Sequence, residues 1–178
     1  MTEQEFGLLT PYLTARTVPK GGLLLEAGQV CGAIYFVNAG FFRMYYLDAD
    51  GHEINCRFAG PAGFLTDYQS FITQQPARYS WQALHAAEVL VLPYELVQRL
   101  YRESAVWDRF GRLMAERVYQ QVMERVELLQ FLTPEQRYQH VRQHQPALLT
   151  QVSQAQLASY LGVQPESLSR IRHRLEQK

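Results

Sequence analysis

The chain has 178 residues, 47% of them apolar and 12% aromatic, with 17 basic and 17 acidic side chains. That composition fits one generous globular domain or two small ones and excludes a disordered chain. No apolar run approaches the ~18 residues that cross a bilayer, and the acidic start MTEQEFGLLTPYL has neither the basic nor the apolar region of a signal peptide. A cytoplasmic protein without membrane contact is expected.

Cys31 and Cys56 are then expected as reduced thiols, too few and too isolated for a zinc or iron–sulfur site. The overall charge balance hides an asymmetry. Residues 1–132 hold 11 Lys and Arg against 14 Asp and Glu, whereas residues 133–178 hold 6 against 3. An acidic body with a basic C-terminal part points weakly to a polyanionic partner.

Phe6, Leu9, Tyr12 and Leu13 predict a short amphipathic helix over Glu3 to Leu13. From Arg16 to Pro93 short β-rich runs (LLLEA, AIYFVNA, FFRMYYL, INCRF, WQAL, VLVL) alternate with Gly-bearing turns. LDADGHEI places an Asp-Gly step between two of them, a hairpin signal. Several short strands at near-regular spacing suggest a small barrel or double-sheet roll. Asp67 to Gln74 reads as a short helix or structured loop closed by Pro76.

After Pro93 the pattern turns helical. YELVQRLYRES gives about three turns, and a longer stretch follows with Trp107, Phe110, Met114, Val118, Val122, Val126 and Leu129 in steps of three or four. A stripe of this length packs on its own barrel or pairs with its copy in a coiled-coil-like dimer. Thr133 and Pro134 suit the cap and first position of the next helix, and the domain boundary is set there. That helix runs to about His144, and QPALLTQVS connects it onward.

The last segment, QLASYLGVQPESLSRIRHRL, contains two short helices meeting at a Gly. Ser153 caps the first, from Gln154 to about Leu161, with Leu157, Ala158 and Leu161 inside. Gly162 ends it in a left-handed conformation. Pro165 opens the second, which buries Leu168, Ile171 and Leu175. Gln164, Glu166, Ser169, Arg170 and His173 are left on its free face, with Arg172 and Arg174 at the sides. This is the grammar of a helix-turn-helix. Arg reads guanine edges, Glu accepts from cytosine, and Arg172 and Arg174 suit phosphates. A solvated αα-hairpin has the same outline, so the residues alone leave both readings open.

Taken together, GGLLLEAGQ, AIYFVNAGFFRMYYLDADGHEI and ASYLGVQPESLSRIRHRL resemble the Crp/Fnr family, that of the cyclic-AMP receptor protein and Fnr, over essentially the whole chain. The connector FLTPEQRYQHVRQHQPALL is similar to that of a branch common in Bacteroidetes. The resemblance implies an α+β fold: an N-terminal cyclic-nucleotide-binding-like β-roll (a double-stranded β-helix), a long dimerisation helix and a C-terminal helix-turn-helix. Residues 1–132 then form the sensor unit and residues 133–178 the DNA-binding domain. The base- and phosphate-contacting set is Gln164, Glu166, Ser169, Arg170, Arg172 and His173, and the dimer contact involves Phe110, Met114, Val118 and Val122. Implied partners are double-stranded DNA, a second copy of the chain, RNA polymerase and an effector of unidentified nature.

Two departures from the family matter. Nucleotide-binding members carry a Gly-Glu pair, a short helix, then Arg with a small polar neighbour. Here Gly63 is followed by Phe64, and Arg78 with Ser80 stands at the phosphate position behind a longer loop. Cyclic AMP is therefore not expected. The cysteine cluster of the oxygen-sensing branch is also missing, so no iron–sulfur cluster is expected.

Other classes of function find less support. A cupin-like metal enzyme needs about three clustered ligands in the roll, where only His52 and His85 occur. His140 and His144 stand four residues apart without an obvious third ligand, so no metal is assigned. No nucleophilic triad or phosphate-cradling loop is present, and no catalytic residue or cofactor is assigned. A sensor acting through protein contacts remains, with Glu166 and Arg170 on the free face arguing against it.

Overall fold

A computed structural model describes residue 7 and residues 9–176. Residues 3–6 and 8 of the helix expected over Glu3 to Leu13 lie outside them; Gly7 is helical and a 3-10 turn follows at Thr10–Tyr12. Eight strands follow: β1 (Thr14–Val18), β2 (Leu23–Leu25), β3 (Ala33–Ala39), β4 (Phe42–Leu47), β5 (Glu53–Ala59), β6 (Phe64–Leu65), β7 (Ser80–Ala83) and β8 (Ala87–Pro93). They form two four-stranded antiparallel sheets, ordered β1-β8-β3-β6 and β2-β7-β4-β5. The inward residues of both sheets, among them Val37, Phe42, Trp81 and Val89, are fully buried in one core. Every run read as a strand is one. β1 and the two-residue β6 are additions.

Local chemistry fixes the turns. Gly40, between β3 and β4, has φ +94°, and a Cβ there would lie 2.4 Å from that of Ala87. At the β4–β5 hairpin, Asp48 Oδ1 accepts from the amides of Asp50 (3.0 Å) and His52 (2.9 Å). This side chain closes the five-residue loop that the Asp-Gly step signalled. Asp67 likewise caps α1 (Tyr68–Thr73), accepting from Ser70 N at 3.0 Å.

Helix α2 (Tyr94–Glu103) breaks at the extended Ser104, and α3 (Ala105–Phe131) runs for 27 residues. The single apolar stripe read from the sequence is two stripes. One, at Trp107, Gly111, Met114, Val118, Gln121, Arg125 and Leu128, is buried or half-buried toward its own chain. The other, at Tyr119, Val122, Val126 and Leu129, is exposed, by 66% at Tyr119 and 54% at Val122. Both alternate steps of four and three, the seam spacing of paired helices.

The chain continues through α4 (Pro134–His144), α5 (Leu148–Gln151), α6 (Gln154–Leu161) and α7 (Pro165–Glu176). Thr133 and Ser153 each form a capping box, with Gln136 and Gln156. The short α5 lies in the stretch read as a connector. A second core joins Tyr138, Val141, Leu148, Leu157, Leu161, Leu168 and Ile171 from α4 to α7 with Phe41 of the roll. Among the described residues no helix is long and apolar enough to cross a membrane.

Candidate nucleic-acid interface

The α6–α7 corner is built by backbone rules. Gly162 sits at φ 66°, ψ 39°, donating to Ser159 O (3.1 Å), while Val163 N donates to Ala158 O (3.0 Å). These two bonds are the Schellman ending of a helix, and Val163 packs on the second core beside Ala158. Ala158 is fully buried, which lets the two helices cross closely. Gln154 Nε2 donates to Pro165 O at 3.2 Å, tying the start of α6 to the start of α7.

Leu168 and Ile171 turn inward on α7 and leave Gln164, Glu166, Ser169, Arg170, Arg172 and His173 exposed. The six residues read as the contact set thus share one solvent-facing surface. Arg170 Nη2 donates to Ser167 Oγ at 3.1 Å, which steadies the guanidinium while leaving other donors outward. Arg174, at the side, is paired with Glu135 of α4 at 3.1 Å. An open concavity between Gln154, Pro165, Glu166, Ser169 and Arg170 lies in front of this surface.

This surface is held to the rest of the molecule by contacts that the sequence did not disclose. Ser159 Oγ accepts from Asn55 N (3.0 Å) and donates to Glu53 O (3.1 Å), so α6 covers part of the free edge of β5. The ring of Tyr160 meets Phe58 edge-on at 5.3 Å. Arg125 of α3 stacks on Tyr160 at 4.0 Å and donates to its carbonyl. Arg137 reaches three carbonyls, Leu129 O (2.9 Å), Leu132 O (3.0 Å) and Leu161 O (2.9 Å), and so joins the ends of α3 and α6. On the roll, Arg43 is buried with Gln82 (2.7 and 2.9 Å) and Glu53 (2.5 Å), stiffening the strands that receive Ser159.

The residues read as a ligand pair differ in exposure. Arg78 is exposed, whereas Ser80 is buried and its Oγ accepts from Ala27 N at 3.0 Å. Phe64 follows Gly63 and meets Phe36 (5.1 Å) and Phe110 (6.1 Å) edge-on. Among the dimer set, Phe110 packs on Phe64 and Trp107, and Met114 lines the same apolar contact with the roll, both half-buried. Val118 is half-buried and Val122 exposed.

Residues 15–104 match the family model of the cyclic nucleotide-binding domain, half of the chain. The chain belongs to that family. Its full-length relatives place it with the Crp/Fnr-type regulators of the family. It is 26% identical over its whole length to the cyclic AMP receptor protein of Thermus thermophilus, covering 84% of that protein. FixK2 from Bradyrhizobium japonicum superposes with TM-score 0.81 at 17% identity, over 93% of this chain and 85% of that one. The c-di-GMP-responsive global regulator CLP of Xanthomonas campestris gives 0.76 at 18%, over 99% and 92%. The likeness to these two structures concerns the fold alone. It extends across roll, long helix and C-terminal helices, so this family member shares the whole architecture and not the roll only.

Proposed function

We propose that the chain is a homodimeric DNA-binding transcription regulator. A sensor unit over residues 1–132 carries a helix-turn-helix domain over residues 133–178, and RNA polymerase is its partner at the promoter. The observation that carries this is the α7 surface: Gln164, Glu166, Ser169, Arg170, Arg172 and His173 exposed on one helix behind a Gly162 corner. Glu166 and Arg170 supply an acceptor and a bidentate donor for base edges, while Arg172 suits a phosphate.

The exposed seam of α3 is the dimer contact, centred on Tyr119, Val122, Val126 and Leu129. Two-fold symmetry then sets two α7 helices in successive major grooves, with half-sites roughly 10 base pairs apart. The roll takes no cyclic nucleotide at Arg78 and Ser80. The Ser80 hydroxyl already accepts from Ala27 N, and Phe64 follows Gly63 where the nucleotide binders carry Glu.

Selection of sites from a random duplex pool by the purified chain tests the proposal. Enrichment of a two-fold symmetric sequence is expected, and a folded dimer that enriches none overturns it. On the selected site Arg170→Ala should cost about 1–3 kcal/mol and relax one base position. An equal loss on random DNA would reassign Arg170 to a phosphate.

A further inference from the structure

Arg57 of β5, the outer strand of its sheet, and Arg117 and Arg125 of α3 are cations without a counter-charge. None of the three has an ion pair among the described residues. Arg57 is half-buried and makes no side-chain hydrogen bond either. Arg125 stacks over Tyr160 at 4.0 Å, and the Tyr160 ring lies 5.3 Å from that of Phe58, the neighbour of Arg57 in β5. The Nη1 of Arg125 is buried without an acceptor, and one turn back Gln121 Oε1 is buried without a donor.

The two elements run side by side here. Burial first, and the charge of Arg117 second, lower the Arg57 guanidinium below its ordinary value. Burial raises the Cys56 thiol, and the charge of Arg125 opposes the rise. Arg57 thus answers to Arg117 and Cys56 to Arg125. Arg117, Gln121 and Arg125 follow one another in steps of four on one side of α3, so Gln121 falls between the two pairs.

We propose that Arg57, Gln121 and Arg125 bind a phosphate group between β5 and α3, with Arg117 at the entrance. A half-buried guanidinium without a counter-charge is unfavourable, and an anion relieves it. The unmet atoms on α3 narrow the choice of anion, since Arg125 Nη1 needs an acceptor and Gln121 Oε1 a donor. Hydrogen phosphate carries accepting oxygens and a hydroxyl on one tetrahedral centre, so it answers both atoms and the Arg57 fork together. A carboxylate is acceptor-only at neutral pH, and so is sulfate. Arg117 is exposed, so the site opens to solvent at that end. It is distinct from the Arg78 and Ser80 position on the roll. Because α6 rests on both elements, through Ser159 on β5 and Tyr160 on Arg125, a bound phosphate would act where α6 is held. Phosphate binding does not depend on the DNA-reading proposal; only an effect on DNA affinity would.

The test is isothermal calorimetry of the full-length chain with inorganic phosphate, and with sulfate at matched ionic strength. Saturable binding of phosphate is expected, about tenfold or more tighter than sulfate. Arg57→Met and Gln121→Leu should each weaken it by about tenfold or more. In phosphate-free buffer Arg57→Met should melt no lower than the parent, because it removes an unmatched charge and not one half of a pair. A lost affinity is then not a lost fold. Arg78→Ala should bind phosphate as the parent does. Glycerol phosphate, as a second probe, separates two sources of the group: tighter binding than inorganic phosphate places it on an organic carrier, and weaker binding leaves it free. Four results overturn the proposal: no saturable binding of either probe, sulfate bound as tightly as phosphate, unchanged affinity in both Arg57→Met and Gln121→Leu, or a loss confined to Arg78→Ala.

Discussion

Ser159→Ala removes one oxygen and tests how α6 is fixed to the roll. In the parent, Ser159 Oγ takes the amide of Asn55 at 3.0 Å and gives its proton to Glu53 O at 3.1 Å. Asn55 is almost wholly buried, so its amide has no ready water. Leaving such a donor unpaired costs about 1–3 kcal/mol, and a neutral hydrogen bond of the second kind contributes about 1 kcal/mol net. Glu53 is exposed, so water recovers part of the second term, and a loss of about 2 kcal/mol is expected in all. Amide hydrogen exchange resolves it residue by residue. The Asn55 amide should exchange about thirtyfold faster in Ser159→Ala, while Val37 and Val89 in the core stay protected. Ser159→Thr, which keeps a hydroxyl, should retain most of the protection. If Asn55 exchanges as slowly in Ser159→Ala as in the parent, α6 does not cover the edge of β5 in solution.

Gly162→Ala puts a Cβ on a residue at φ 66°, 3.2 Å from Arg137 Nη1, and should lower stability by roughly 1–2 kcal/mol; urea unfolding followed by circular dichroism reads it. Val122→Asp with Val126→Asp should yield a folded monomer in sedimentation, whereas Met114→Asp should destabilise the roll instead, since Met114 faces its own chain. Asp48 is held below the ordinary aspartate value of 3.8, first by the His52 amide it accepts. Its support of the hairpin is therefore complete above the unfolded value and lost as pH falls through the lower folded one. The His52 amide shift in NMR should move only below about pH 4, and in Asp48→Ala that step should vanish.

The ends of α4, α6 and α7 were legible because their signals are local. Thr133, Ser153, Gly162 and Pro165 each act on the turn beside them, and the observed ends of α4, α6 and α7 fall where they stand. β1 escaped notice because TARTV exposes four of its five residues and shows no buried alternation. The residues read as the dimer set do not share one face of α3, for a geometric reason. Phe110, Met114, Val118 and Val122 follow a row of steps of four, and each step carries the row about 40° around a helix of 3.6 residues per turn. Over three steps the row passes from the face toward the roll to the face toward solvent. A row alternating four and three stays on one side, and that row contains Tyr119, absent from the sequence reading. The clamps on α6 were illegible for another reason: Ser159 and Glu53 are separated by 106 residues, and no local pattern marks a single hydroxyl as the partner of a strand edge.

The direction in which α7 points follows from three fixed points on α3 and β5. The exposed seam of α3 and its buried seam are offset by one residue, about 100° around the helix. A dimer formed on the first therefore does not compete with the roll packed on the second. Arg137 binds the last carbonyls of α3 and of α6 through one guanidinium, a planar fork that lysine cannot replace. Ser159 adds a point on β5, outside α3. A hinge at Leu132 alone would leave the corner free to turn about α3, and a bond outside that helix removes the freedom. Any signal that moves β5 relative to α3 must therefore either carry α7 with it or break the Ser159 bonds. The strand of the roll most directly coupled to the α7 surface is β5, and the ion pair between buried Arg43 and exposed Glu53 makes it a stiff one.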